Sequence, residues 1–297
     1  MTSPAAANPL APVLLVRRRT ELERLHALDA SDILARLAPE ERERLHRAHR
    51  EHTATCEAVL ATLRSLSVPW REEREPTEAM ARTSRLVLTL GGDGTLLRTS
   101  HAVPPGVPVL AINTSPSTSV GHFATAAGAE EATRAVTEAL RGEIPHLSLA
   151  RMSVRIDDET VTRRVLNDVL FSHACPASTS RYRIVLGSET ADHRSSGVWI
   201  GPPAGSTAAI RSAGGEQLPL DARRLQFVVR EPYAPPGDTL PPLCRGLLAP
   251  EETLWIRSRM EEGMLYVDGA HRRIPAPYGC TIALCLSEEP LELLRRR

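Results

Sequence analysis

Two sequence patterns predict the fold class of this chain. Up to about residue 142, short runs of β-forming residues alternate with long helical segments, which is typical of a parallel sheet covered by helices. Beyond that point, short alternating segments separated by turn residues predict a β-rich domain with few helices. At 297 residues the chain is long enough for two modest domains, each with its own core. We therefore predict an N-terminal α/β domain with a Rossmann-like parallel sheet, followed by a β-rich, sandwich-like domain.

The elements up to about residue 142 follow from hydrophobic periodicity. Apolar residues at helical spacing predict helices, and uninterrupted β-forming runs predict buried strands. On this basis we predict strands at residues 12–17, 68–74, 86–90 and 107–113, and helices at residues 22–37, 39–66, 96–102 and 126–141. The helix at 39–66 carries His46, His49 and His52, which we interpret as part of a solvated face rather than as a metal site.

The second domain is predicted from period-2 alternation and turn signals. The predicted strands are at residues 149–156, 160–169, 181–186, 197–200, 225–229, 253–257, 264–267 and 280–286. We place the N-terminal domain at residues 1–125 and the β-rich domain at residues 126–275. The C-terminal segment, residues 276–297, is expected to pack back on the first domain.

The composition narrows the classes of function. A 42% hydrophobic share is that of a globular protein, and a formal net charge of zero argues against a nucleic-acid partner. All 36 residues counted as Lys or Arg are Arg, so a phosphate site would use Arg, backbone amides or metal. The apolar runs are too short for a membrane span, and five scattered cysteines without a secretory signal indicate a reducing compartment. We expect a cytoplasmic protein with no membrane partner.

The strongest local signal of a functional site is Gly91-Gly92-Asp93-Gly94. It follows the apolar run at residues 86–90, and Thr95 then begins a helical segment. Glycines at such a junction can adopt positive φ and let backbone N–H groups approach a ligand, while the helix N-terminus favours an anion. Asp93 can then accept a proton from an attacking hydroxyl or help to place a metal.

The Asp93-Gly94 stretch has two further interpretations. Asp93-Gly94 could form a β-hairpin turn, but Gly91 and Gly92 would then have no purpose and the following residues do not alternate. Asp93 could also cap its own helix, which is compatible with catalysis. Asn113 ends the next strand, and carboxyl ends of parallel strands meet at one edge of a sheet. We therefore expect Asn113 and Asp93 to share one crevice.

Five motifs in register resemble those of the NAD kinase family. The glycine loop is similar to the signature that NAD kinases share with diacylglycerol, sphingosine and phosphofructo-kinases. The other four motifs are Asn113 with Gly121-His122-Phe123, Asn167-Asp168, Ser196-Gly197 with Gly205-Ser206-Thr207-Ala208 and Ser212-Ala213-Gly214-Gly215, and Val267-Asp268-Gly269. The longer polar loop after Asn113 and the helical insertion before the glycine loop look closest to the divergent mitochondrial-type NAD kinases and their bacterial relatives.

The resemblance implies transfer of the γ-phosphoryl group of ATP to the 2′-hydroxyl of the adenosine ribose of NAD or NADH, with Asp93 as general base. Mg²⁺ would be held through the phosphates rather than by protein side chains, and the enzyme would be a homo-oligomer, a dimer or larger. The predicted residues of the NAD and ATP sites are Gly91, Gly92, Gly94, Thr95, Arg98, Asn113, His122, Asn167, Asp168, Ser196, Gly205, Ser206, Thr207, Ala208 and Ser212. Arg98 is a candidate for phosphate contact by position, as is Arg211.

Two departures from the family pattern leave alternatives open. Ser196 stands where the family has Asp, and Ala209 stands where it has an aromatic residue. A catalytically silent NAD(P)-binding regulatory protein is one alternative, and a lipid or small-alcohol kinase of the same superfamily is another. The Asn167-Asp168 motif suits a dinucleotide, and the sequence shows no amphipathic membrane-docking stretch. The choices between NAD and NADH, and between ATP and polyphosphate, also stay open.

Overall fold

A computed structural model describes residues 10–270 and 272–296. Contacts between Cα atoms divide the chain into two units. The first runs to Leu147 and includes the chain from Leu291, and the second is Ser148–Pro290. Residues 1–9, for which we predicted no secretory signal, lie outside the described residues. Among the helices that the structure describes, none is both long and apolar enough to cross a membrane.

The first unit is an α/β structure, as predicted. Its strands are β1 (Val13–Arg17), β2 (Trp70–Glu73), β3 (Leu86–Gly91), β4 (Pro108–Asn113), β5 (Ala126–Ala127), β6 (His146–Leu149) and β19 (Leu291–Leu294). Its helices are α1 (Glu21–Ala27), α2 (Ser31–Arg36), α3 (Pro39–Ser65), α4 (Glu78–Arg82), α5 (Asp93–Ser100) and α6 (Gly128–Leu140). The strand order is β2-β1-β3-β4-β19-β6, with β5 beside β4.

Strand β3 lies near the middle of this sheet and is buried along its whole length. It pairs in parallel with β1 on one side and with β4 on the other, which places Gly91 opposite Asn113. The core beside it is formed by apolar residues of the sheet together with Val59 and Leu63 of α3 and Val136 of α6. The carboxyl ends of β1, β3 and β4 therefore lie next to one another, at the edge where α/β sheets bind ligands.

The second unit consists of two six-stranded antiparallel sheets that share one hydrophobic core, so the predicted sandwich-like class is confirmed. One sheet has the order β11-β10-β15-β18-β7-β8, and the other has the order β14-β13-β12-β9-β16-β17. Their strands are β7 (Met152–Ile156), β8 (Glu159–Val165), β9 (Val169–His173), β10 (Ser180–Leu186), β11 (Glu189–Ser195), β12 (Val198–Gly201), β13 (Leu225–Val229), β14 (Arg245–Leu248), β15 (Thr253–Ser258), β16 (Gly263–Val267), β17 (Arg272–Pro275) and β18 (Thr281–Leu286). A short 3-10 helix, Pro203–Thr207, and α7 (Ala209–Ser212) follow β12.

The observed division between the units differs from the predicted boundaries. Helix α6 buries Ala132, Ala135 and Val136 in the core of the first unit, so that unit continues to Leu147 rather than ending at residue 125. Residues 276–290 belong to the second unit, and the chain joins the first only from Leu291, where β19 pairs in parallel with β4. Amphipathic helices do not reveal from sequence which sheet they cover.

Two predicted elements are interrupted in the structure. The helix predicted at residues 22–37 is two helices, because Asp29 adopts a positive φ of 51° between α1 and α2. The strand predicted at residues 160–169 is also two strands, β8 and β9. The segment between them, Leu166 to Asp168, carries the predicted Asn167-Asp168 motif.

Candidate active site

The glycine loop connects β3 to α5 as a strand, a tight turn and a helix, with Gly92 as the N-cap residue. Positive φ does not account for these glycines, because none of them lies in the left-handed region. Close packing explains the first two: a Cβ at Gly91 would lie 2.2 Å from Thr95 Oγ1, and one at Gly92 would lie 2.9 Å from Ser119 Oγ. A Cβ at Gly94 would meet no atom within 4 Å. The exposed side of Gly94 is therefore open to a ligand.

Asp93 is the first residue of α5, and its carboxylate is held by a different part of the chain. Oδ2 accepts a hydrogen bond from the backbone N–H of His122 at 2.8 Å, and Oδ1 accepts one from that of Phe123 at 3.0 Å. Its side chain thus binds the 122–123 backbone rather than capping its own helix. Two backbone donors fix the orientation of a carboxylate that stays half-exposed at the helix N-terminus.

Asn113 shapes the loop that supplies these two donors. It is 2% exposed, its Nδ2 donates to the Ser119 carbonyl at 2.8 Å, and its Oδ1 accepts from the Ser115 N–H at 3.1 Å. A Cβ at Gly121, whose φ is 65°, would lie 2.7 Å from Asn113 Nδ2, so this turn needs glycine. Asn113 and Asp93 therefore act on one loop, with Asn113 buried as its organiser.

The other two predicted residues of this unit differ in their surroundings. His122 is half-buried, its ring meets that of Phe123 edge-on, and its carbonyl accepts a hydrogen bond from Arg295 Nη1 at 2.9 Å. Arg98 is exposed on α5, one turn beyond the glycine loop.

Helix α3 anchors the polar loop after β4, and this corrects our interpretation of its histidines. His52 is fully buried, and its Nδ1 lies 2.8 Å from Thr114 Oγ1. Burial and the nearby Arg18 and Arg17 charges lower the pKa of His52 to about 4. His52 is a neutral core residue that ties the long helix to the loop, and not a part of a solvated face.

In the second unit, Asp268 organises the Asn167-Asp168 motif. Its Oδ1 accepts the backbone N–H groups of Asn167 and Asp168 at 2.7 and 3.0 Å, and its Oδ2 accepts that of Leu166 at 3.0 Å. Asp268 follows β16 and begins the turn to β17, as its Asp-Gly sequence predicted. Residue type and spacing did not indicate that the same carboxylate holds the segment between β8 and β9.

Asp168 carries a strongly perturbed carboxyl group beside this turn. Asp168 is 4% exposed, and Asn167 Nδ2 donates a hydrogen bond to Asp168 Oδ2 at 2.8 Å. Burial and the neighbouring Asp268 charge raise the pKa of Asp168 to about 7. Asn167 itself is half-buried, so this pair presents an amide next to a carboxyl group poised near neutral pH.

The Gly205-Ser206-Thr207-Ala208 motif packs directly on this segment. A Cβ at Gly205 would lie 1.7 Å from the Asn167 carbonyl oxygen, and one at Gly201 would lie 2.4 Å from the same atom. Ser206 is fully buried, and its Oγ accepts the Leu218 N–H at 3.0 Å. Gly205 and Ser206 therefore serve packing and loop structure, while Thr207 and Ala208 are half-buried.

The remaining predicted residues of the second unit contact groups other than Asn167. Ser212 and Arg211 are exposed, and Arg211 Nη1 donates to Gln217 Oε1 at 2.5 Å. Ser196, in the turn between β11 and β12, donates through Oγ to the Glu231 carboxylate. Glu231 is a residue that our sequence analysis did not propose for the site.

Within residues 10–270 and 272–296, no group of three or more His, Cys, Asp or Glu side chains is placed to hold a metal ion.

Comparison with solved structures places the fold. A crystal structure of an NAD kinase from Archaeoglobus fulgidus in complex with ATP matches with a TM-score of 0.68 at 17% identity, over 96% of this chain and 93% of that one. Yeast NADH kinase complexed with NADH matches with a TM-score of 0.71 at 15% identity, over 98% and 84%. The α/β unit and the β-sandwich unit thus form the fold seen in kinases of nicotinamide dinucleotides.

Sequence comparison defines the family. The sequence-family model of the ATP-NAD kinase N-terminal domain matches residues 6–144 of this chain. A probable NADH kinase from Oryza sativa subsp. japonica is 35% identical over 264 residues, which cover 81% of this chain and 80% of that protein. An NADH kinase from Arabidopsis thaliana is 32% identical over 278 residues, covering 83% and 84%. The chain belongs to the NAD kinase family and is a kinase.

Proposed function

We propose that this enzyme transfers the γ-phosphoryl group of ATP to the 2′-hydroxyl of the adenosine ribose of NAD or NADH, giving NADP or NADPH. The observation that carries the proposal is the Asp93 carboxylate, fixed by two backbone donors beside the open side of Gly94. The names of related proteins support the substrates: two plant relatives are called a probable NADH kinase and an NADH kinase, and one solved structure is of an NAD kinase in complex with ATP.

In this proposal Asp93 is the general base. An ionised carboxylate has about four acceptor positions, and the His122 and Phe123 amides occupy two of them. The free positions can accept the proton of a ribose hydroxyl while the two amides prevent rotation of the group. Such a positioned base contributes roughly 10²-fold to 10⁴-fold to the rate.

The other roles follow from where each group lies. The exposed Gly94 and the N-terminus of α5 suit phosphate oxygens, because the first N–H groups of a helix lack the carbonyl partner four residues back. Asn167 and Asp168 suit an adenine edge and ribose hydroxyls. Mg²⁺ would enter with ATP, bound to its phosphates, and would neutralise charge on the transferred group. We further propose a homo-oligomer, which analytical ultracentrifugation would test.

The test is NADP(H) formation by the purified full chain with ATP and Mg²⁺, using NAD and NADH in separate reactions. We expect Asp93→Asn to lower kcat roughly 10²-fold to 10⁴-fold. Asp32→Asn is the matched control, since Asp32 is an exposed carboxylate in the first turn of α2. It should leave kcat unchanged.

Binding measurements separate catalysis from structure. The Asn amide of the Asp93 variant turns an –NH₂ group toward one of the two backbone donors, so some local stability is lost. Calorimetric titration with NAD and ATP and a melting curve therefore accompany the kinetics. A folded variant that binds both substrates yet turns over at the wild-type rate would remove Asp93 as the base. A folded wild type that forms no product from NAD or NADH would refute the proposed reaction.

A further inference from the structure

We infer that Arg18 is a phosphate-binding residue of this enzyme, and that the cavity beside it takes the phosphate chain of the phosphoryl donor. The inference rests on the proposed function and assigns its donor side. ATP and inorganic polyphosphate share the required chemistry, a chain of condensed phosphates.

Arg18 directly follows β1 and lies against the glycine loop. Its backbone N–H donates to the Leu90 carbonyl at 3.1 Å, which continues the pairing of β1 with β3. A Cβ built on Gly91 would lie 3.2 Å from Arg18 Cδ. The arginine stem therefore packs on the first glycine of the loop, at the carboxyl edge of the sheet.

The guanidinium group of Arg18 is oriented but incompletely paired. Its Nη2 donates to Ser115 Oγ at 2.8 Å, and its buried Nε has no hydrogen-bond partner among the described residues. The nearby Glu23 carboxylate is already bound by Arg17 at 3.2 Å and by the Thr20 N–H at 2.8 Å. Burial lowers the pKa of Arg18, with a further contribution from the Arg24 charge. A half-buried cation without a carboxylate partner is costly, and an anion would remove that cost.

A cavity of about 650 Å³ opens at this position, within the size range of small-molecule sites. Its polar lining includes Arg18, Arg44, Thr20, Ser117, Thr118 and Ser119. The Glu21 carboxylate also lines it, but that group pairs with Arg24 at 3.3 Å. Ser119 reaches the glycine loop as well, because a Cβ at Gly92 would lie 2.9 Å from its Oγ. Two arginines and several hydroxyls beside phosphate-binding backbone suit a polyphosphate chain.

Variants at three positions test the inference. Arg18→Met removes the charge but keeps the apolar stem, and Arg19→Met is the matched control at the exposed neighbouring position. Ser115→Ala removes the hydroxyl that accepts the hydrogen bond from Arg18, while the Arg18 charge itself is kept. KM for ATP and for NAD or NADH is measured for each, together with the Kd of tripolyphosphate by calorimetry and a melting curve.

We expect Arg18→Met to raise KM for ATP and the Kd of tripolyphosphate roughly 10-fold to 100-fold, while KM for the dinucleotide stays within about 3-fold. Arg18→Lys should recover part of the loss, because it restores charge without the planar fork. If Arg18→Met behaves like Arg19→Met, or if Ser115→Ala reproduces its full effect, Arg18 is only a tether of the loop and the inference is overturned. Failure of wild-type tripolyphosphate binding also overturns it.

The measurement of tripolyphosphate binding tests the phosphate site independently of the proposed reaction. A wild type that forms no product but loses tripolyphosphate affinity on Arg18→Met would refute the reaction and support the phosphate site. Turnover supported by polyphosphate without ATP would identify the donor as the inorganic chain, whereas turnover with ATP alone would identify the nucleotide.

Discussion

Replacing Asp168 by Asn should stabilise the protein at neutral and alkaline pH. The pKa of Asp168 is raised from 3.8 to about 7, by burial and by the Asp268 charge. The folded state therefore holds a proton that the unfolded chain has released between these pH values. Stability from this group is full below about pH 4 and is lost as the pH rises through 7. At up to about 1.36 kcal/mol per pH unit, the loss between pH 5 and pH 8 is on the order of 2 to 3 kcal/mol.

Urea unfolding at pH 5, 6, 7 and 8 measures the contribution of Asp168 as the difference in unfolding free energy between wild type and Asp168→Asn. The difference removes the contributions of all other titrating groups. It should grow with pH in favour of the variant, while Asp158→Asn, at an exposed turn of the same unit, should show no trend. A difference that is independent of pH would show that Asp168 is ionised normally in the folded protein. We expect Asp168→Asn also to weaken binding of the dinucleotide. That result would show that the Asp168 carboxyl serves substrate binding although it lowers stability at neutral pH.

The remaining predictions concern His52 and two glycines. Because the pKa of His52 is lowered from 6.5 to about 4, the folded protein loses stability as the pH falls below 6.5. Urea unfolding should therefore show that, relative to His52→Asn, the wild type loses about 2 kcal/mol of unfolding free energy between pH 7.5 and pH 5. An equal loss in both proteins would contradict a neutral, buried His52. Gly205→Ala, whose Cβ would lie 1.7 Å from the Asn167 oxygen, should cost about 3 kcal/mol or more, measured by thermal melting. A Cβ at Gly94 would lie in open space, so Gly94→Ala should leave the stability unchanged or raise it by about 0.5 to 1 kcal/mol. The same substitution should lower the affinity for ATP. A destabilised protein would show that the space beside Gly94 is not open.

Much of the fold could be predicted because the relevant signals are local. The strand, turn and helix around Gly91-Gly92-Asp93-Gly94 are encoded by an apolar run, glycines and a helical pattern within residues 86–102. The boundary between the units was not encoded locally. Placing α6 in the first unit requires knowing that Val136 packs with Val59 and Leu63, which are more than seventy positions away.

The candidate site shows the same limit. Asp93 could be proposed from residue type and spacing, and the Asn167-Asp168 motif from its resemblance to a family motif, but their partners could not. The Asp93 carboxylate binds backbone groups 29 and 30 positions along the chain, and Asp268 binds backbone about a hundred positions away. Backbone donors carry no sequence signature, so the groups that orient each carboxylate became visible only in the structure.

The replacement of a carboxylate at position 196 also acquires a different meaning in the structure. From sequence alone, Ser196 suggested a lost charge and hence a protein that binds dinucleotide without turnover. In the fold, the Ser196 hydroxyl donates to the Glu231 carboxylate, and the Ser196 N–H donates to the Arg230 carbonyl at 3.0 Å. A carboxylate therefore still lies at this turn, supplied by the segment after β13. We propose that Glu231 supplies the charge that the family's Asp supplies, in which case Ser196 does not favour a catalytically silent protein.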